Sequence, residues 1–283
     1  MQNVKSTLAV IVLYKEYIEN SIIYLSLINT LTTQELDDFE LFIYDNSPYS
    51  NYDPLKVNIP NVYIHNPLNP GICQAYNEAL DYAQKKNKKW LLLFDQDTTV
   101  NRDYLISSFN SAKTFDNNED VVAIVPQICT FNKIIISPCK VNLFGRFIPI
   151  SISYPKLLDG RVTALNSGTM LKIEFMTKID GFAEKYTLDM LDHWLFAQVF
   201  KLNKKVYCHA TSIEHNLTVY EDQYMDNYRY ERFLVAEREY YLSEGIPTFL
   251  FYKLFLLLRI IRHLTKGHTS ISKLTWHAFI TKM

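Results

Sequence analysis

The sequence predicts an α/β fold, and three observations predict it. Short apolar runs of strand length, Leu8–Tyr14, Phe39–Asp45, Val62–His65, Trp90–Asp95 and Val121–Val125, alternate with helical patterns around 18–31, 71–86 and 102–115. The runs are nearly continuous in apolar character rather than alternating, as in a mostly parallel sheet covered on both faces. The composition, 48% hydrophobic and 21% charged over 283 residues, is that of a chain able to bury a sizeable core. It excludes a disordered chain and a multi-span membrane protein. Only seven residues are Gly, which argues against a collagenous or Gly-rich nucleotide-loop protein. A formal charge of −1 argues against a nucleic-acid binder that relies on overall positive charge.

Taken in order, the N-terminal stretch MQNVKSTLAVIVLYKE has a short apolar run that meets polar residues at once, so it is read as the first strand and not as a secretory signal. Ligands of such sheets sit outside the carboxyl ends of the strands. The residues to watch are therefore Tyr14-Lys15, Asp45-Asn46-Ser47, Asn66 to Gly71 and Asp95-Gln96-Asp97. The irregular stretch 127–160 reads as strands and loops flanking the site. A short strand (Lys205–Cys208) and a helical stretch (222–243) come next, then a break at Gly245-Ile246-Pro247. The expected domains are 1–244 and a basic, amphipathic helical tail, 245–283. Cys73, Cys129, Cys139 and Cys208 form no CxxC pair and read as reduced thiols of a cytoplasmic protein.

Asp95 and Asp97 stand just after a buried strand, one residue apart. Two carboxylates so close repel unless a cation or hydrogen-bond donors compensate. A hard divalent ion holding a diphosphate is one such partner; turn carboxylates capping the helix near Arg102 are the other account. Context adds to the first. The stretches LFIYDNSP, NPLNPGICQAYNEAL, LNSGTMLK, IDGFAEKYTLDMLDHW and IEHN occur in that order. This series resembles the family-2 inverting glycosyltransferases of the GT-A fold, a Rossmann-like sheet flanked by helices, and most closely their rhamnosyltransferase-like branch. The resemblance runs from about Leu8 to Tyr241.

The resemblance implies donor-binding roles for Tyr14, Asp45, Asn69, Gly71, Asn77, Asp95, Gln96 and Asp97. Lys15 stands where relatives have Asn. Asn69, Gly71 and Asn77 match an N-x-G-x(5)-N element whose helix N-terminus helps hold a diphosphate. The resemblance places Ser167, Gly168, Asp189, His193, Trp194 and Arg238 at the acceptor, and makes Asp192 the catalytic base. It gives a divalent cation, Mn²⁺ or Mg²⁺, to Asp95, Asp97 and His215. Asp189 and Asp192, three apart, are expected in the first turn of one helix, where the helix dipole favours a carboxylate and keeps a base ionised.

The function implied is inverting transfer of a sugar from a dTDP- or UDP-linked donor to a hydroxyl of a glycan or lipid-linked acceptor in cell-surface polysaccharide synthesis. The branch points to rhamnose; galactofuranose and glucose remain open. A nicotinamide-dependent Rossmann enzyme is excluded, because no Gly precedes Gly71. The alternative is a non-catalytic nucleotide-sugar or glycan-binding module of the same fold. From Gly245 onward there is no Asp or Glu, while Lys253, Arg259, Arg262, Lys266, Lys273 and Lys282 give +6, leaving 23 basic and 30 acidic residues before it. Drawn as a helix, Leu254, Leu257, Leu258, Ile261 and Leu264 share a face, and Arg259, Arg262 and Lys266 gather on another. This pattern suits an interfacial helix on anionic lipid, at the cytoplasmic face of the cell membrane. Packing on the catalytic domain or on a second subunit of a homo-oligomer is the other account.

Overall fold

Strand β1 (Thr7–Leu13) is buried at every residue. It lies between two strands parallel to it, β2 (Leu41–Asp45) and, later in the chain than β3 (Asn61–His65), β4 (Trp90–Asp95). A strand with neighbours on both edges and helices over it has no solvated side, which is why its sequence reads as an unbroken apolar run. The computed structural model describes residues 5–50, 52–130, 132–215 and 226–281, without the side chains of residues 37, 38 and 215. The chain divides into two units, Met1–Cys139 with Pro149–Asn216, and Lys140–Ile148 with Leu217–Met283.

In the first unit the helices α1 (Ile22–Thr30), α2 (Thr33–Asp38), α3 (Ile72–Lys85) and α4 (Arg102–Phe115) connect the successive strands. Helix α1 is capped by Ser21, α2 by a Thr32–Glu35 capping box, and α4 by Asn101. After the short β5 (Thr98–Thr99) come β6 (Val121–Cys129), β7 (Ile135–Ser137), β8 (Cys139–Val141), β9 (Phe147–Pro149), β10 (Lys156–Leu157), β11 (Val162–Thr163) and β12 (Met170–Lys172). Helices α5 (Ile173–Lys178) and α6 (Leu191–Lys201) precede β13 (Lys205–His215). The main sheet runs β10-β13-β6-β12-β4-β1-β2-β3. Its parallel half is β4-β1-β2-β3. The other half is mixed, because β12 returns antiparallel between β4 and β6. That strand was hidden in LNSGTMLK, whose three strand residues are too short a run to signal one. Residues 222–225 of the expected helix lie outside the described residues.

The second unit is built from α7 (Asn227–Ser243), α8 (Ile246–Thr265) and α9 (Thr269–Ile280). The break at Gly245 is real as a break between helices, yet α7 and α8 fall in one unit. Arg259 donates two hydrogen bonds of 2.8 Å to Glu237, and Tyr241 stacks on Tyr252 at 4.7 Å. The segment 140–148, expected beside the site, also belongs here. Phe144 packs against Phe251 at 4.3 Å, and the Tyr241 hydroxyl donates to the Gly145 carbonyl at 3.1 Å. Among the described residues no helix is long and apolar enough to cross a membrane.

Helix α8 turns Phe249, Tyr252, Leu256 and Ile260 inward and leaves Leu250, Leu254, Leu258, Ile261 and Leu264 about half exposed. The expected basic face is smaller than the sequence suggests. Arg259 is spent on Glu237, and the Lys253 ammonium donates to the carbonyls of Ala278, Phe279 and Thr281 at 2.6–2.9 Å. It closes the C-terminal end of α9, where a cation is favoured.

Candidate active site

The parallel register fixes the floor of the site. Leu13 lies opposite Asp45 on β2, and Val12 opposite Asp95 on β4, so both acids emerge at the same sheet edge on either side of β1. The strand ends are laced together. Gln96 accepts the Tyr14 amide at 2.8 Å and donates to the Tyr14 carbonyl at 3.4 Å, and Asn46 donates its amide to the Leu13 carbonyl at 2.8 Å. Lys15 has φ of +56°, a left-handed conformation that Asn adopts more readily; its amide donates to the Ser47 hydroxyl at 2.7 Å.

Asp45 is 1% exposed. One carboxylate oxygen accepts the Ser47 amide at 2.9 Å and the other the Tyr63 hydroxyl at 2.6 Å. Burial, then the Asp45 bond, pushes the Tyr63 phenol up, so Tyr63 stays a donor. Tyr63 stacks on Tyr52 at 4.1 Å. Asp45 therefore organises a Tyr-Tyr shelf at the strand end. Neither tyrosine was singled out from the sequence, since a Tyr in an edge strand, as Tyr63, or in a loop, as Tyr52, carries no signal of its own.

Asn69 is left-handed at φ +47°, and Gly71 has φ +96° and ψ −178°, a conformation open essentially to Gly alone. The Thr187 carbonyl lies where a Gly71 Cβ would sit, 2.3 Å from it, and accepts the Ile72 amide at 2.8 Å and the Cys73 amide at 3.3 Å. Two leading N–H groups of α3 are thus already taken, which corrects the expectation that they await a diphosphate. Asn77 also differs from expectation. Its Oδ1 accepts the Phe182 amide at 2.7 Å and its Nδ2 donates to the Phe182 carbonyl at 2.9 Å. The amide is a brace for Phe182 in the 181–190 loop.

Asp95 accepts the Ser167 hydroxyl, and Ser167 is 1% exposed. Gly168 is buried: its amide donates to the Leu93 carbonyl at 2.7 Å, its carbonyl accepts the Tyr104 hydroxyl, and an added Cβ would meet Ile213 at 2.7 Å. Of the pair expected at the acceptor, Ser167 thus bonds to Asp95, and Gly168 is packed among Tyr104, Pro126 and Ile213. Asp97 precedes β5, whose register sets Thr98 opposite His215. The backbone of His215 thus lies beside the segment that carries Asp97, while its side chain lies outside the described residues. Among the described residues no three His, Cys, Asp or Glu gather as for a metal ion.

Helix α6 starts at Leu191, with Met190 left-handed at its N-cap, so Asp192 is in the first turn and Asp189 precedes the helix. The Asp192 side chain is 15% exposed and accepts the adjacent His193 amide at 2.7 Å. Burial raises its pKa above the ordinary Asp value. His193 opposes the shift, and Asp189 and Asp95 add to it. The helix terminus does not keep this group readily ionised, as expected from sequence; desolvation prevails. The effect of Asp95 on Asp192 sets the two carboxylates within electrostatic reach of each other, one from β4 and one from α6. His193 Nδ1 is 2.7 Å from the Thr163 hydroxyl, and Trp194, partly exposed, donates its amide to Met190 at 2.9 Å. Arg238 belongs to the second unit and pairs with Glu239 at 2.9 Å.

Residues 9–136 match the family model described as glycosyl transferase family 2. Among solved structures, the chain is similar to GalNAc-T7 with UDP, GalNAc and Mn²⁺, at 13% identity and a TM-score of 0.54 over 76% of this chain and 44% of that one. It is also similar to S. aureus TarS 1-349 in complex with UDP-GlcNAc, at 18% identity and a TM-score of 0.50 over 82% of this chain and 64% of that one. The chain thus spans less than two thirds of either neighbour, and at these identities the likeness is one of fold. No curated protein sequence matches. The matched segment contains every donor-side residue from Tyr14 to Asp97; over it the chain is similar to glycosyl transferase family 2, and its fold is of the GT-A type.

Proposed function

We propose that the protein is an inverting glycosyltransferase that moves a sugar, rhamnose by the branch its motifs resemble, from a dTDP- or UDP-linked donor to a hydroxyl of a glycan or lipid-linked acceptor in polysaccharide synthesis. The observation that supports this most is a partly buried carboxylate of raised pKa, Asp192, within electrostatic reach of Asp95 at the end of the strand that carries the DxD acids. A general base is most effective when its pKa lies nearer the working pH than that of an exposed Asp.

In this reading Asp192 takes the proton of the acceptor hydroxyl as its oxygen bonds to the anomeric carbon. The bond from that carbon to the diphosphate oxygen breaks with its electron pair, and the nucleoside diphosphate leaves. No covalent intermediate on the protein is needed. Asp95, held by Ser167, orients the donor; Tyr14, Gln96 and the Tyr52-Tyr63 shelf line its nucleotide end. Asp97 and Asp95 offer hard oxygen ligands suited to Mg²⁺ or Mn²⁺, and the register brings His215 to the same edge. Bound there, a divalent ion supplies Lewis-acid neutralisation of the departing diphosphate. His193 and Trp194 differ from the Thr-Glu of relatives and set the acceptor contacts. The GalNAc-T7 structure with UDP and Mn²⁺ supports the donor class and the ion, by likeness of fold.

The half-exposed stripe of α8, with Arg262 and Lys266 beside it, supports docking on anionic lipid at the inner face of the cell membrane. The test is release of nucleoside diphosphate from dTDP-rhamnose, UDP-galactofuranose and UDP-glucose, with Mn²⁺ and with excess chelator. Turnover of one donor that vanishes with chelator is expected, and Asp192→Asn should lower it by about 10² or more with donor affinity little changed. Full activity in chelator removes the ion from the mechanism, and near-normal turnover in the variant moves the base elsewhere. Binding without turnover of any donor favours the non-catalytic module.

A further inference from the structure

Tyr76 lies in the second turn of α3, with 0% exposure, and its ring packs on Phe182 at 5.2 Å between centroids. A phenylalanine fills such a place equally well. The Tyr76 hydroxyl is enclosed and has no hydrogen-bond partner among the described residues. An enclosed hydroxyl in that state costs stability that a phenyl ring does not. Two carboxylates bear on it, Asp95 from the end of β4 and Asp192 from the first turn of α6. Asp95 already accepts the Ser167 hydroxyl. The Asp192 carboxylate accepts a single hydrogen bond among the described residues, from the neighbouring His193 amide onto Oδ1. An enclosed donor without an acceptor thus lies within electrostatic reach of a carboxylate that accepts one hydrogen bond among the described residues.

We propose that Tyr76 is a positioning residue for the base: its hydroxyl donates through one ordered water to the Asp192 carboxylate and holds it in the orientation that takes the acceptor proton. The proposal rests on Asp192 being that base. A phenol is suited to the task because burial, Asp95 and Asp192 all push its own pKa well up, so it donates across the working range without giving up its proton. Its hydrogen bond favours the ionised carboxylate, against the burial that opposes it. The other groups that bear on Asp192 are His193 and Asp189 beside it, Asp95 on β4 and the Cys139 thiol, itself pushed up to about 12 by burial. Among these, His193 alone offers a hydrogen to the carboxylate, through its main chain.

The test uses the full chain labelled with ¹³C at the Asp carboxyls, without substrate. The Asp192 resonance is assigned by its loss in Asp192→Asn, and the same variant is assayed for diphosphate release. In Tyr76→Phe the Asp192 titration should move up by about one pH unit. The melting temperature should hold or rise, and turnover should fall about ten-fold with donor KM within about two-fold. Tyr76→Leu, which also loses the ring, should melt earlier yet move the titration no further. An unmoved Asp192 titration in Tyr76→Phe, with Asp192→Asn inactive, overturns the proposal and leaves Tyr76 as packing. A titration that moves only in Tyr76→Leu overturns it too. Undiminished turnover in Asp192→Asn sinks the base itself, and the positioning role with it.

Discussion

Gly71→Ala perturbs the joint between α3 and the loop that delivers Asp192. The cost can be worked from two separate terms. At φ +96° and ψ −178° the backbone is in a region essentially closed to residues with a Cβ, which costs about 1–3 kcal/mol. In addition, the Cβ would lie 2.3 Å from the Thr187 carbonyl oxygen, so that carbonyl must withdraw and the bonds from Ile72 and Cys73 weaken. Each such bond contributes about 0.5–1.5 kcal/mol, giving a total of about 2–6 kcal/mol. Gly160→Ala is the control. Its φ is +74°, but nothing lies within 4 Å of the added carbon, so it bears only the left-handed term of about 1–2 kcal/mol. Urea denaturation of the two variants beside the parent protein measures the difference. A Gly71→Ala protein no more destabilised than Gly160→Ala would refute this account, because the contact with Thr187 would then be carrying nothing. Since Thr187 leads directly to Asp192, the surviving folded fraction of Gly71→Ala should also turn over more slowly per molecule.

Two pH effects of opposite sign arise from burial, and a third prediction concerns α8. His209 is 2% exposed against Tyr104 and Tyr207, and burial holds its pKa down at about 4. A depressed folded value means that its contribution is complete above pH 6.5 and is lost as pH falls towards 4. This is about 3 kcal/mol at about 1.4 kcal/mol per pH unit, and denaturant midpoints of His209→Phe should lack that acid-side loss. Asp192, whose folded pKa is raised, costs stability once ionised. Asp192→Asn should therefore be more stable than the parent at neutral pH, with the advantage shrinking as pH falls to the ordinary Asp range, and equal midpoints at pH 7 would count against its burial. Replacing Leu254 and Leu258 by Glu should leave the melting temperature within a degree or two and abolish binding to anionic vesicles. Retained binding at low salt, or vesicles ignored by the unaltered chain, refutes the lipid surface.

The parallel half of the sheet was legible because its strands are buried on both faces, and continuous apolar runs such as WLLLFD are hard to place elsewhere. Helix α4 emerges at 102–115 from an Asn cap and a clear periodicity. What escaped reading depends on contacts between distant segments. Ser167 meets Asp95 across 72 positions and Phe182 meets Asn77 across 105, and no local pattern announces either. Short strands such as β12 are held by neighbours rather than by propensity. Several motif residues have scaffold contacts the spacing does not announce: Asn77 bonds to Phe182, and Ser167 to Asp95. Motif spacing records that a residue is needed; it does not record whether it faces the cleft or the scaffold.

At Asp192 two opposing effects meet, and their magnitudes decide between them. A helix N-terminus favours a carboxylate by about 0.3–1 kcal/mol at exposed sites. Taking an ionised carboxylate out of water costs several kcal/mol, so burial prevails even in the first turn of α6, as the raised pKa shows. A charge held against such a cost persists only if the backbone around it cannot relax. The anchors needed are those found. Thr187 is fastened to Gly71 and the first amides of α3, Phe182 is clamped at both main-chain atoms by Asn77, and Met190 adopts a left-handed turn that starts the helix two residues before the acid. These contacts tie the loop before Asp192 to the helix that comes after β3, whose neighbour β2 ends at Asp45. The proposed base is thereby positioned from the same framework as the proposed donor site.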